Sequence, residues 1–95
     1  QKPIHIAGEN QLIKTIGFCT GAAQGFIEQA VVMGCDAYLS GEISEPTVHT
    51  ARETGIHYFA AGHHATERYG VQAVGEFLAE KLGIEHVFVD IANPV

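Results

Sequence analysis

The feature that most limits what this chain can fold into is an alternation. Short apolar runs take turns with longer runs whose apolar residues recur every three or four positions, and glycines stand at the joints. Ile13 to Cys19 reads as a strand, broken by Thr20-Gly21. From about Ala22 to Met33, Phe26, Ile27, Ala30 and Val31 share one helical stripe while Glu28 and Gln29 face away, and Gly34 stands where a helix end favours positive φ. Ala37-Tyr38-Leu39 is a second strand, ended by Ser40-Gly41. Ser44 is placed to cap a helix with Pro46 in its first turn, Val48 and Ala51 on its apolar face and Gly55 as its stop. Ile56 to Ala61 is a third strand, apolar at nearly every position, as in a sheet covered on both faces. Gly62 leads into a helix that runs to about Leu82 on the stripe Val71, Val74, Leu78 and Leu82, with Gly83 as its stop. Val87 to Ile91 reads as a last strand, and Asn93-Pro94 blocks its continuation.

The predicted order is therefore βαβαβαβ, an α/β layered fold with a mostly parallel sheet and right-handed crossovers. Residues 1–12 read least clearly: Ile4-His5-Ile6 is a candidate short strand and Ala7-Gly8-Glu9-Asn10 a turn. The 95 residues suffice for a single compact domain, with no internal repeat or linker. The missing initiator Met points to processing or to a piece of a longer chain.

Composition removes several function classes. With 5 basic against 11 acidic residues the net charge is -6, and Lys2, Lys14, Arg52, Arg68 and Lys81 are scattered. A phosphate-backbone binder needs a basic patch, so direct nucleic-acid binding is not expected. No apolar run approaches the ~18 residues of a membrane span, and no signal-peptide pattern opens the chain. Cys19 and Cys35 are not in a C-x-x-C arrangement and each adjoins an apolar run, so buried reduced thiols and a cytoplasmic location are expected.

Chemistry concentrates in Gly62-His63-His64-Ala65-Thr66-Glu67-Arg68. His63 and Glu67 are four apart, which on a helix puts both on one face within reach of one metal ion. A ligand must be a neutral imidazole or an ionised carboxylate. The free N–H groups of a first helical turn favour the Glu67 anion and disfavour an imidazolium on His63. The competing reading is that His63 and His64 cap the helix while Glu67 binds backbone N–H groups. The segment lacks H-E-x-x-H, and Arg68 stands where H-x-x-E-H needs its last His. A catalytic zinc or iron site takes three protein ligands and a two-metal site more, so the missing ones must come from another segment or chain.

In a parallel α/β sheet ligands gather beyond the carboxyl ends of the strands. Cys19-Thr20-Gly21, Ser40-Gly41-Glu42 and Gly62-His63-His64 all fall at such ends. Glu42 reads first as a solvated loop residue, and otherwise as a further ligand or a partner orienting an imidazole. Thr20 to Gly25 is a glycine-rich turn that matches neither G-x-G-x-x-G nor the Walker pattern, and reads as close strand–helix packing or, more weakly, as an anion cradle. His49 reads as a surface residue and His57 as a hydrogen-bonded core or interface residue, while His5 and His86 carry no partner pattern.

Four segments follow one another in order: Gly21-Ala22-Ala23-Gln24-Gly25-Phe26-Ile27, Asp36-Ala37-Tyr38-Leu39-Ser40-Gly41-Glu42-Ile43-Ser44-Glu45, Ala60-Ala61-Gly62-His63-His64-Ala65-Thr66-Glu67-Arg68, and Asp90-Ile91-Ala92-Asn93-Pro94. Together they resemble the C-terminal part of the NIF-three-like family, in particular its bacterial YbgI-type branch of GTP cyclohydrolase type-two homologues, over about residues 13–95. The resemblance implies a partial domain of a larger two-domain fold, a toroidal homohexamer and a dinuclear metal site. In that pattern His63 and Glu67 are metal ligands and His64 is not a usual one; the other ligands, a His-His pair and an Asp, lie in an N-terminal half that this chain lacks. The expected function is half of a divalent-metal site in a metal-dependent hydrolase. The alternatives are a non-enzymatic metal-binding or metal-delivery protein, or a ring-shaped scaffold. Imidazole plus carboxylate suits zinc, iron, manganese or nickel alike, and no general acid or base can be named.

Overall fold

The computed structural model describes residues 2–95. Its elements are β1 (Ile4–Ile6), β2 (Ile16–Phe18), a 3-10 turn (Gln24–Phe26), α1 (Ile27–Val32), β3 (Ala37–Ser40), α2 (Glu45–Thr54), β4 (His57–Ala60) and α3 (His63–Leu82). The sheet order is β1-β4-β3-β2. β2 and β3 run parallel, as do β3 and β4, whereas β1 is antiparallel to β4 with His5 opposite Phe59. The mixed α/β fold and its parallel core match the alternation in the sequence.

The two crossovers step the same way across the sheet, so their helices fall on the same face. That face carries Tyr38, Tyr58 and Ala60, packed with Ile27 and Ala30 of α1, Ala51 of α2 and Ile56. The opposite face is not covered by a helix: Leu39 and Phe59 are half-buried there, and His5 stacks on Phe59 at 4.3 Å between ring centroids. The expected cover on both faces is thus only half present among the described residues.

Local chemistry explains the element ends. The Ser44 N–H donates to Thr47 Oγ1 at 3.2 Å, Pro46 sits in the first turn of α2, and Gly55 ends it at φ 79°. Both α3 boundaries fall where the glycines put them, with Gly62 at φ 98° and Gly83 at φ 66°. β2 is shorter than the apolar run, because Asp36 Oδ2 accepts the N–H groups of Lys14 and Thr15 and holds those residues in a loop. α1 begins late, after a 3-10 turn.

The expected strand at Val87 to Ile91 does not form. One edge of the sheet is β2 and the other is occupied by β1, the segment that read least clearly. Residues 83–95 instead run back beside α3 without regular structure: the His86 ring lies against Gly75, Asp90 approaches His64 and Arg68, and the His64 N–H donates to the Val95 carbonyl at 2.9 Å. Val87, Val89 and Ile91 remain 69%, 72% and 71% exposed. α3 itself buries no residue, and Val71, Val74, Leu78 and Leu82 stay in solvent. The radius of gyration is 15.9 Å, against about 12–13 Å for a compact chain of this length.

Candidate metal centre

The carboxyl ends of the three parallel strands meet, and backbone hydrogen bonds tie them together. The Gly41 N–H donates to the Gly21 carbonyl at 2.9 Å, Ala61 to Ser40 at 2.8 Å and Gly62 to Gly41 at 2.9 Å. A side chain has no room at Gly41, where a Cβ would lie 2.6 Å from Gly21 O and 2.8 Å from His63 Cα. Gly21, at φ 70°, has a backbone conformation that disfavours a side chain, and a Cβ there would press on the Glu67 carboxylate. Beneath this platform the buried Ser40 hydroxyl donates to Gly21 O and accepts from Ala23 N–H, and the Tyr38 hydroxyl donates to Ala23 O.

These bonds bear on the glycine-rich turn. Its Gly21 N–H is taken by Thr66 Oγ1 at 3.0 Å and its Ala23 N–H by Ser40. Two of the donors an anion would need are already engaged, which favours the packing reading of Thr20 to Gly25.

His63 is the first residue of α3, and its ring lies between two carboxylates. Nδ1 is 2.6 Å from Glu42 Oε1, and Nε2 is 3.1 Å from Glu67 Oε2. The structure thus brings the two expected ligands together and adds Glu42, which is hydrogen-bonded to the His63 ring rather than left as a free loop carboxylate. The hydrogen bond that Glu42 accepts from the ring, with the Glu67 charge adding to it, raises the His63 pKa above its ordinary value despite partial desolvation. That overturns the expectation from the helix N-terminus: two carboxylates within hydrogen-bond reach outweigh the partial charge of the helix end.

His64 points elsewhere. Its Nε2 is sealed from solvent without a hydrogen bond, 3.8 Å from Asp90 Oδ1, while Arg68 lies 3.7 Å from the same carboxylate. His49 is exposed and faces Glu45 at 3.5 Å. His57 is 8% exposed and fully bonded, accepting at Nδ1 from Gly8 N–H and pairing with His5 and Asn10 O. Cys19 is exposed rather than buried, since it follows an edge strand, and Cys35 is half-buried; both are free. Among the described residues no set of three or more His, Cys, Asp or Glu side chains is arranged to hold a metal ion, and no helix is long and apolar enough to cross a membrane.

The Duf34/NIF3 (NGG1p interacting factor 3) family model matches residues 1–94. The chain belongs to this family. A Pseudomonas aeruginosa protein named GTP cyclohydrolase 1 type 2 homolog is 62% identical over 84 residues, covering 88% of this chain and 33% of the relative. A Vibrio cholerae protein of the same name is 58% identical over 95 residues, covering 98% of this chain and 38% of that one. Among solved structures, the protein ybgI superposes with a TM-score of 0.94 at 44% identity, over 100% of this chain and 39% of its own. TTHA1606 from Thermus thermophilus superposes at 0.89 with 26% identity, over 98% and 37%. This NIF3-family chain therefore spans little more than a third of the length of the relatives it matches, as a partial domain of a larger fold.

Proposed function

We propose that this chain supplies part of a dinuclear divalent-metal site, with His63 Nε2 and the Glu67 carboxylate as ligands, in a metal-dependent hydrolase. The observation that carries the reading is the pairing of those two groups at 3.1 Å beyond the carboxyl ends of three parallel strands. The donor set fits a borderline divalent ion: one imidazole nitrogen and one carboxylate on the same helical face, on a platform closed by Gly21 and Gly41. Two donors are fewer than such a site needs, so the remaining ligands come from outside this chain. A divalent ion held there would polarise a substrate oxygen and activate water near neutral pH. The name carried by the relatives makes GTP the first substrate to assay. Metal-dependent turnover of nucleotides, esters or phosphoesters is expected, and none on any class would remove the hydrolase part of the reading.

A second reading, an oligomeric metal-binding or metal-delivery scaffold, draws on α3. Val71, Val74 and Leu82 are each more than half exposed on a helix that buries nothing. An apolar stripe left in water calls for a partner surface, and a homo-oligomer of ring form is the arrangement proposed. Transfer of metal to an apo-acceptor without substrate turnover would favour this second reading. A cytoplasmic location is proposed with either.

A further inference from the structure

We infer that Glu42, anchored by the core residue Tyr58, is a positioning residue that keeps the proton of neutral His63 on Nδ1 and so leaves Nε2 bare toward a divalent ion. The inference rests on the metal-site reading above and adds two residues to it. An imidazole has two nitrogens, and only the one without a proton can ligate; the partner of the other nitrogen decides which that is. At His63 the two partners are unequal. Glu42 Oε1 lies 2.6 Å from Nδ1, whereas Glu67 Oε2 is 3.1 Å from Nε2. The shorter charge-assisted bond holds the proton.

Glu42 is itself held in place. It follows Gly41, whose N–H donates to the Gly21 carbonyl and whose carbonyl accepts the Gly62 N–H, each at 2.9 Å. Its carbonyl accepts the Tyr58 hydroxyl, and the Tyr58 side chain is fully buried in the middle of the sheet. The path from Tyr58 through the Glu42 backbone to the His63 ring thus connects the packed core to the ligand. Glu42 and His63 are each about one-third exposed at the side chain, so buried packing alone does not fix the ring. The hydrogen bond supplies that orientation.

The test measures zinc affinity by competition with a chromogenic chelator in the intact protein and in Glu42→Ala, Glu42→Gln, Tyr58→Phe, His63→Ala and Glu67→Ala, with thermal melts as a folding control. It is paired with 15N NMR of His63 in metal-free protein, at a pH where the ring is neutral. Loss of this kind of outer partner costs about 10–100-fold in metal affinity. Glu42→Ala should fall in that range and shift the His63 proton toward Nε2. Glu42→Gln, which keeps an acceptor oxygen, should lose less. Tyr58→Phe should weaken binding with the fold intact. Wild-type affinity and an unchanged Nδ1–H signal in Glu42→Ala would overturn the inference while the metal reading stands. Wild-type affinity in Tyr58→Phe would overturn its anchor. Undiminished binding in His63→Ala and Glu67→Ala would instead overturn the metal reading itself.

Discussion

Gly41 sets the geometry of the centre more tightly than any charged residue does. Its Cα faces the Gly21 carbonyl, the His63 backbone and the Gly62 carbonyl at once. Gly41→Ala should cost about 1–3 kcal/mol, the usual range for overpacking, and should weaken metal binding by pushing the start of α3, and His63 with it, away from Glu42; a thermal melt and a zinc titration check both. Asp36 shapes the molecule's response to acid. Hydrogen bonds from the Lys14 and Thr15 N–H groups hold its pKa below 3.8. Its contribution to stability is therefore complete above pH 3.8 and is lost as the pH falls through the lower folded value. Asp36→Asn should remove that part of the acid limb, and urea midpoints measured down the pH scale will show whether it does. At this scale the sequence was legible in part. His63 and Glu67 share a helix, so their spacing alone brings them together. The Glu42 contact joins residues 21 apart in sequence, and only the strand order decides it. The raised His63 pKa was hidden for the same reason.

Elements with a local cause were the ones that could be read. α2 has its Ser44 cap, its Pro46 and its Gly55 stop, and α3 is bracketed by Gly62 and Gly83. Strands were less legible, because an apolar run does not say whether an edge is free to receive it. Val87 to Ile91 has the composition of a strand yet no neighbour, while Ile4–Ile6, only three residues long, takes the place beside β4. The parallel core was deduced from alternation; the antiparallel β1 carries no such signal. Since Val89 is 72% exposed in this segment, Val89→Asp should change stability by no more than about 0.5 kcal/mol. A large drop in the melting temperature would mean that the segment is packed.

Taken whole, the molecule is a one-sided sheet with a long helix beside it, spanning 50 × 26 × 21 Å. Its unburied helical stripe and its proposed two-ligand centre make the same demand, for surface and donors from elsewhere. Sedimentation should show self-association, and Val74→Glu with Leu78→Glu should abolish it with little loss of helix, because neither residue is buried. A monomer at all concentrations would argue against a role for α3 in assembly. The central claim is that His63 and Glu67 hold a divalent ion. Elemental analysis of the full-length protein, with the remaining ligands present, beside its His63→Ala and Glu67→Ala variants tests it most directly. The account predicts bound divalent metal in the parent protein and its loss in both variants; an unchanged metal-to-protein ratio in both would contradict it.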